Sequence, residues 1–148
     1  MPYLDWTQEQ FAQSIIDDYK AARISPSRVF PQSFLIDIIY CWIKHKPQFG
    51  KQAVALDEQV DSPEGYRNST AQLPMLAKNG VKIVAPAFFT LDAQNRIMPS
   101  KYSIAAKKAG LDIISWSFEH SEFLNHWGDY YYQYAAPAIN NDGVCIWC

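Results

Sequence analysis

Apolar residues recur every fourth position at Phe11, Ile15 and Tyr19. Thr7 and Gln10 stand before them at the spacing of a capping box, so the pattern predicts an amphipathic helix to about Arg23. Ser25-Pro26-Ser27 breaks it. Val29 to Phe34 then reads as a strand, although Pro31 inside it removes one ladder donor. A nearly all-apolar helix is expected from Leu35 to Lys44, ended by Pro47 and Gly50. Ala53 to Leu56 is the next strand, with Asp57 and Glu58 at its tip. Asp61 to Asn68 reads as a polar loop, and Ser69 with Gln72 as the cap of a helix running to Asn79-Gly80. Pro74 places the true start of that helix close to Gln72.

Lys82 to Ala87 forms the third predicted strand, followed by a turn over Leu91 to Asn95. Pro99-Ser100 opens a fourth helix that carries Tyr102, Ala105, Ala106 and Ala109 on one side. Leu111 to Phe118 is the fourth strand, apolar and rich in β-branched residues as strands buried on both faces are. Beyond Glu119 the pattern dissolves into an aromatic loop, Phe123 to Tyr134, and a polar turn at Asn140 to Gly143.

One unit repeats through this reading. Gly110 separates a helix end from a short strand, Gly80 does the same upstream, and Gly50 does so more loosely. The three lie at intervals of about 30 residues, the length of one helix, one strand and two loops. Helix–glycine–strand units of that size predict an α/β fold with a parallel sheet, as a single domain over residues 1–148.

Composition narrows the classes of partner. The chain has 148 residues, 49% of them hydrophobic and 19% charged, which suits a globular domain with its own core. A net charge of −2 without any basic run argues against nucleic acid as a partner. No apolar stretch approaches the roughly 18 residues that span a bilayer, so no membrane span is expected. Met1 to Glu9 has neither a positive n-region nor an apolar h-region, so no signal peptide is read there. Cys41 falls in the apolar helix and reads as a buried small hydrophobe. Cys145 and Cys148 form a Cys-x-x-Cys without the following helix that activates such a thiol.

Sites on parallel sheets gather at the carboxyl ends of the strands. The predicted tips bring Gln32-Ser33-Phe34, Leu56-Asp57-Glu58, Pro86-Ala87-Phe88 and Ser115 to Glu119 to one mouth. Asp57, Glu58, Glu119 and His120 offer carboxylates and an imidazole there, or serve only as helix caps and solvated tips. Ser33 lacks a nucleophile elbow, and no phosphate-cradling glycine loop occurs. His45, between two lysines, reads as a solvated helix end, and His126 has no evident partner. Trp116 reads either as a flat wall for a substrate or as a plug between strand and helix. The aromatic run Tyr130 to Tyr132 reads as a lid or as folded-back packing. Asn68-Ser69-Thr70 is a glycosylation sequon, meaningful only in a secreted protein.

Gly110 to Phe118 followed by Glu119, with Tyr131-Tyr132-Gln133 after it, resembles the glycerophosphodiester phosphodiesterase family. Val29 to Phe34 is similar to that family's Ser-Phe strand, and Ala53 to Asp57 and Val81 to Pro86 also look like family segments in the family's order. The resemblance implies a (β/α) TIM barrel of which this chain holds the later portion: about four parallel strands alternating with helices, incomplete at both ends. It implies metal-dependent hydrolysis of a small-molecule phosphodiester to glycerol 3-phosphate and an alcohol, with Ca²⁺ or Mg²⁺ and histidine acid–base catalysis. The family's His-Arg-Gly strand, Glu-x-Asp metal pair, second catalytic histidine and later metal-binding glutamate strand do not occur here. The resemblance therefore carries over no catalytic residue and no metal or cofactor ligand, only Ser33, Phe34 and Trp116 as substrate-binding residues. It implies a chain inactive alone. The alternative is a non-catalytic binding or scaffold protein derived from the barrel. An open piece of sheet also exposes two edges, which self-association would cover.

Overall fold

The computed structural model describes residues 6–59, 63–86, 90–91 and 97–114. Helix α1 spans Gln8–Ala21 and is opened by a complete capping box. The Gln10 amide donates to Thr7 Oγ1 at 3.1 Å, and the Thr7 amide to Gln10 Oε1 at 2.8 Å. Its buried residues are Ala12 and Ile16, whereas Phe11 is 52% exposed and Tyr19 is exposed too. This corrects the expected Phe11–Ile15–Tyr19 stripe: the buried face lies one position further round. Small Ala12 lets the next helix approach closely, and Trp42 Nε1 donates to the Ala12 carbonyl at 3.1 Å.

A 3₁₀ turn, Pro26–Arg28, leads to β1, Gln32–Ser33. The expected strand from Val29 thus pairs over only two residues; the Pro31 carbonyl still accepts from Val54, but proline has no amide to return. Helix α2, Ile36–His45, buries Ile38, Ile39 and Trp42, and the four-residue α3, Pro47–Gly50, packs beneath it. Gly50 is there for space. A Cβ at that position would stand 2.6 Å from Ile43 Cα and 2.7 Å from the Trp42 carbonyl oxygen. Of the three repeat glycines, Gly80 (φ 94°) and Gly110 (φ 77°) take the left-handed conformation that ends a helix.

Strand β2 is Val54–Asp57 and α4 is Pro63–Lys78. Helix α4 corrects the sequence expectation: residues 63–68 are helical, and Pro74 lies inside the helix rather than near its start. Pro63 occupies the first helical position, where its fixed φ is favourable and a missing N–H costs nothing. Pro74 is exposed, so water can satisfy the carbonyl it leaves unpaired, while Ser69 and Leu73 hold the opposite side in the core. Strand β3, Ile83–Pro86, is followed by an antiparallel pair, β4 (Thr90–Leu91) and β5 (Ile97–Met98). That pair includes Leu91, which the sequence placed in a turn. Ser100 caps α5, Lys101–Lys108, as expected, and β6 is Asp112–Ile113. The rest of the expected fourth strand, from Ser115, lies outside the described residues.

The parallel strands form one four-stranded sheet in the order β1-β2-β3-β6, which is also their order along the chain. Ser33, Ala55, Val84 and Ile113 align across it in one row. Ala55, Val84 and Ile113 pack into a core to which α1, α2, α3, α4 and α5 all contribute. The alternate residues Val54, Ile83 and Ala85, with Leu56 against them, form a second apolar cluster composed of strand residues alone. The sheet is therefore an α/β layer in which the described helices gather on one face. Among the described residues, no helix is long and apolar enough to cross a membrane.

Candidate functional site

Because β1, β2, β3 and β6 are parallel, Ser33, Asp57, Pro86 and Ile113 end on the same side of the sheet. Asp57 closes β2 with its side chain toward α4. Its Oδ1 accepts from the Ser69 hydroxyl at 3.0 Å and from the Gln59 amide at 3.1 Å. Ser33 Oγ accepts from the Leu35 amide at 3.0 Å, which turns the chain from β1 into α2. Tyr102, in the first turn of α5, is 1% exposed. Its ring packs against Tyr66 of α4 with centroids 6.5 Å apart, and its amide donates to the Tyr66 hydroxyl at 2.9 Å. An otherwise unpaired amide at the start of α5 is satisfied in this way.

These side chains enclose a cavity of about 130 Å³ between the sheet and the helices, lined by Ser33, Phe34, Asp57, Gln59, Gln72 and Tyr102 among others, with Ala55 and Val84 as its apolar floor. Phe34, Gln59 and Gln72 are exposed and form the rim. The Tyr102 hydroxyl is buried without a hydrogen-bond partner. Burial first, and the nearby Asp57 carboxylate second, hold this phenol well above its ordinary pKa, so it stays protonated. It lies near Asp57 without meeting hydrogen-bond geometry. A buried donor with no acceptor costs about 1–3 kcal/mol. Facing a carboxylate, it suits a group that both accepts and donates, such as an alcohol hydroxyl or a water. Among the described residues no lysine, arginine or histidine lines this cavity, so of these a phosphate would meet only Asp57 and neutral groups.

The structure thus brings Ser33 and Phe34, the expected substrate-side residues, to one cavity. Trp116 lies outside the described residues, as do Glu119, His120 and the Tyr130–Tyr132 run. Glu58 is exposed and does not line the cavity. The sequence pattern gives Tyr102 a packing role and Ser69 a place in a helix cap and a sequon; both are parts of this site. His45 is exposed at the end of α2, as read, while Cys41 is half-buried rather than buried. Among the described residues no three His, Cys, Asp or Glu side chains cluster as metal ligands. Asp57 is the single carboxylate among the described residues that line the cavity, and its Oδ1 is occupied by two donors, so these residues do not fit the Ca²⁺ or Mg²⁺ that the resemblance implies.

A second, apolar groove of about 370 Å³ runs beside the edge strand β1, between α1 and α2. Trp6, Phe11, Ile15, Leu35 and Trp42 line it.

No protein-family model matches the chain. It is 49% identical over 150 residues to a protein of Arthroderma benhamiae described as "Extracellular protein", in an alignment that takes in 97% of this chain. The chain spans 61% of the length of that relative. No solved structure matches it.

Proposed function

We propose that this chain is the later part of an exported (β/α) barrel related to the glycerophosphodiester phosphodiesterases, and that it contributes the alcohol side of the substrate pocket. The observation that carries this reading is the one-sided sheet. In a doubly wound fold the strand order reverses and helices cover both faces. Among the described residues the strand order does not reverse, and helices cover one face while the other carries an apolar cluster made of strands alone. Barrels are built that way, with the strand-only face turned inward. The cavity at the carboxyl edge favours the alcohol side over the phosphate, because among its described residues it offers Ser33, Tyr102 and Asp57 but no cation. Export rests on the relative's description.

On this reading the metal and the proton-transferring histidines belong to other parts of the whole protein, and the isolated chain does not turn over substrate. The test compares the isolated chain with a longer protein that contains it, measuring glycerol 3-phosphate release from glycerophosphodiesters with Ca²⁺ or Mg²⁺. Release by the longer protein alone is expected. Enzyme-like turnover by the isolated chain, or an inactive longer protein, would sink the reading. The second reading, a non-catalytic binding protein, is favoured by the unpartnered Tyr102 hydroxyl in a cavity that has no histidine and one carboxylate, Asp57, among its described residues. It predicts micromolar binding of a phosphodiester or its alcohol without turnover in any length of chain.

A further inference from the structure

We propose that Asn68 is an N-glycosylation site, occupied during synthesis, before α4 docks on the sheet; the proposal rests on the reading that the protein is exported. Asn68-Ser69-Thr70 is the only Asn-x-Ser/Thr sequence in the chain. Its three residues are sorted by the helix in the way a glycan requires. Asn68 is exposed on α4, whereas its neighbour Ser69 and, one turn further on, Leu73 are buried. A sugar there projects into solvent and displaces no core residue. One turn further along the same exposed face stands Gln72, and two turns along stands the exposed Met75, an apolar side chain that a glycan would shield.

The order of events follows from the other two residues. In the folded chain the Ser69 hydroxyl is bound to Asp57 and the Thr70 hydroxyl donates to the Tyr66 carbonyl at 2.7 Å. The threonine that a transferase must read is therefore tied back into helix α4. Recognition needs this stretch undocked, as it is on a chain still being translocated. The chemistry is an ordinary transfer: the Asn68 amide nitrogen loses a proton, forms a bond to the sugar's anomeric carbon, and a lipid-linked diphosphate leaves. The donor is a lipid-linked oligosaccharide of the secretory pathway. A glycan on the outer face of α4 also removes that face as a docking surface, which leaves the sheet edges for any association.

The experiment passes the whole 148-residue chain through a secreting fungal host behind a foreign leader, then examines both secreted and cell-retained pools. Loss of mass on treatment with peptide-N-glycosidase, with conversion of Asn68 to aspartate in the digest, is expected for the wild type. N68Q and T70A should show no such loss. S69A, which keeps the sequon but cuts the bond to Asp57, should retain the glycan even if it folds less well. Purified folded chain offered to the transferase should stay unmodified. An unmodified Asn68 in both wild-type pools would overturn the proposal, as would a glycan that persists in T70A or efficient modification of folded chain. Location of the natural protein inside cells would end the export reading while leaving the competence of the site decided by these pools.

Discussion

Ser69 and Asp57 are joined by a 3.0 Å hydrogen bond that ties the middle of α4 to the carboxyl end of β2. The donor is 6% exposed and the acceptor is a carboxylate, so the bond belongs to the stronger class of about 1.5–3 kcal/mol. S69A should lower the unfolding free energy by about that amount, because among the described residues Asp57 then keeps only its bond from the Gln59 amide. D57A removes the acceptor for both donors and should cost more than S69A. Urea denaturation of the two variants checks the order. Equal stability of S69A and wild type would mean that water replaces the serine without loss.

Three positions at helix ends should respond in three different ways. Gly50 has backbone atoms of Trp42 and Ile43 within 2.7 Å of a would-be Cβ, so G50A must force α2 and α3 apart and should cost several kcal/mol, on the order of other severe overpacking changes. Gly110 has nothing within 4 Å of that position, yet its φ is +77°, so G110A should cost only about 1–2 kcal/mol of backbone strain. Arg23 is a non-glycine residue at φ 55°, and the bonds Arg23 N to Lys20 O and Ile24 N to Tyr19 O form the same helix ending as at Gly110. R23G should therefore leave stability unchanged or raise it by up to about 1 kcal/mol. Thermal melts of the three variants give the ranking, and a mild G50A would refute the close-packing account.

These same residues show where the sequence was legible. The helix–glycine–strand unit is a local pattern, and it located β2, β3, β6 and the two left-handed glycines. Gly50 shares the spacing but not the conformation, since the constraint on it comes from Ile43, which only the fold brings close. The start of α4 was misplaced because Pro74 weighed more than Ser62-Pro63-Glu64, which carries its own start signal of serine, proline and acid. In an exposed position the proline's cost is bearable when Ser69 and Leu73 are buried on the other side. At the site, Ser33, Phe34 and Asp57 were legible because they end strands. Tyr102 and Ser69 were not, because their roles arise from the packing of α4 and α5 against β2.

The β1 edge should govern self-association. Phe30, Phe34 and Leu35 are exposed around it, and Phe11 and Leu35 line the apolar groove next to it. An edge strand beside an apolar groove is a template for pairing. Sedimentation of the wild-type chain should depend on concentration, and the double variant F11K/L35K should abolish that dependence by placing two charges in the groove. A wild-type chain that stays monomeric at high concentration would show that this edge is covered within the chain.

Tyr102 should give the alkaline limb of stability. Its unfolded pKa is near 10.0, and burial followed by Asp57 raises the folded value well above that. Below pH 10 both states carry the proton and the phenol leaves stability independent of pH. Above it the unfolded chain loses the proton while the folded chain keeps it, so stability falls by about 1.4 kcal/mol per pH unit until the folded pKa is reached. Y102F should remove this contribution and flatten the fall above pH 10. At neutral pH the same change deletes an unpartnered buried hydroxyl, so it should cost little or even stabilise the empty protein. If a substrate alcohol uses that hydroxyl, Y102F should at the same time weaken binding of the alcohol by about tenfold, the equivalent of one hydrogen bond of roughly 1.4 kcal/mol. A variant that gains stability and loses binding identifies Tyr102 as a group kept for its ligand. A variant that loses stability with binding unchanged would mean that an ordered water already satisfies the hydroxyl, and the cavity would then be a structural water site.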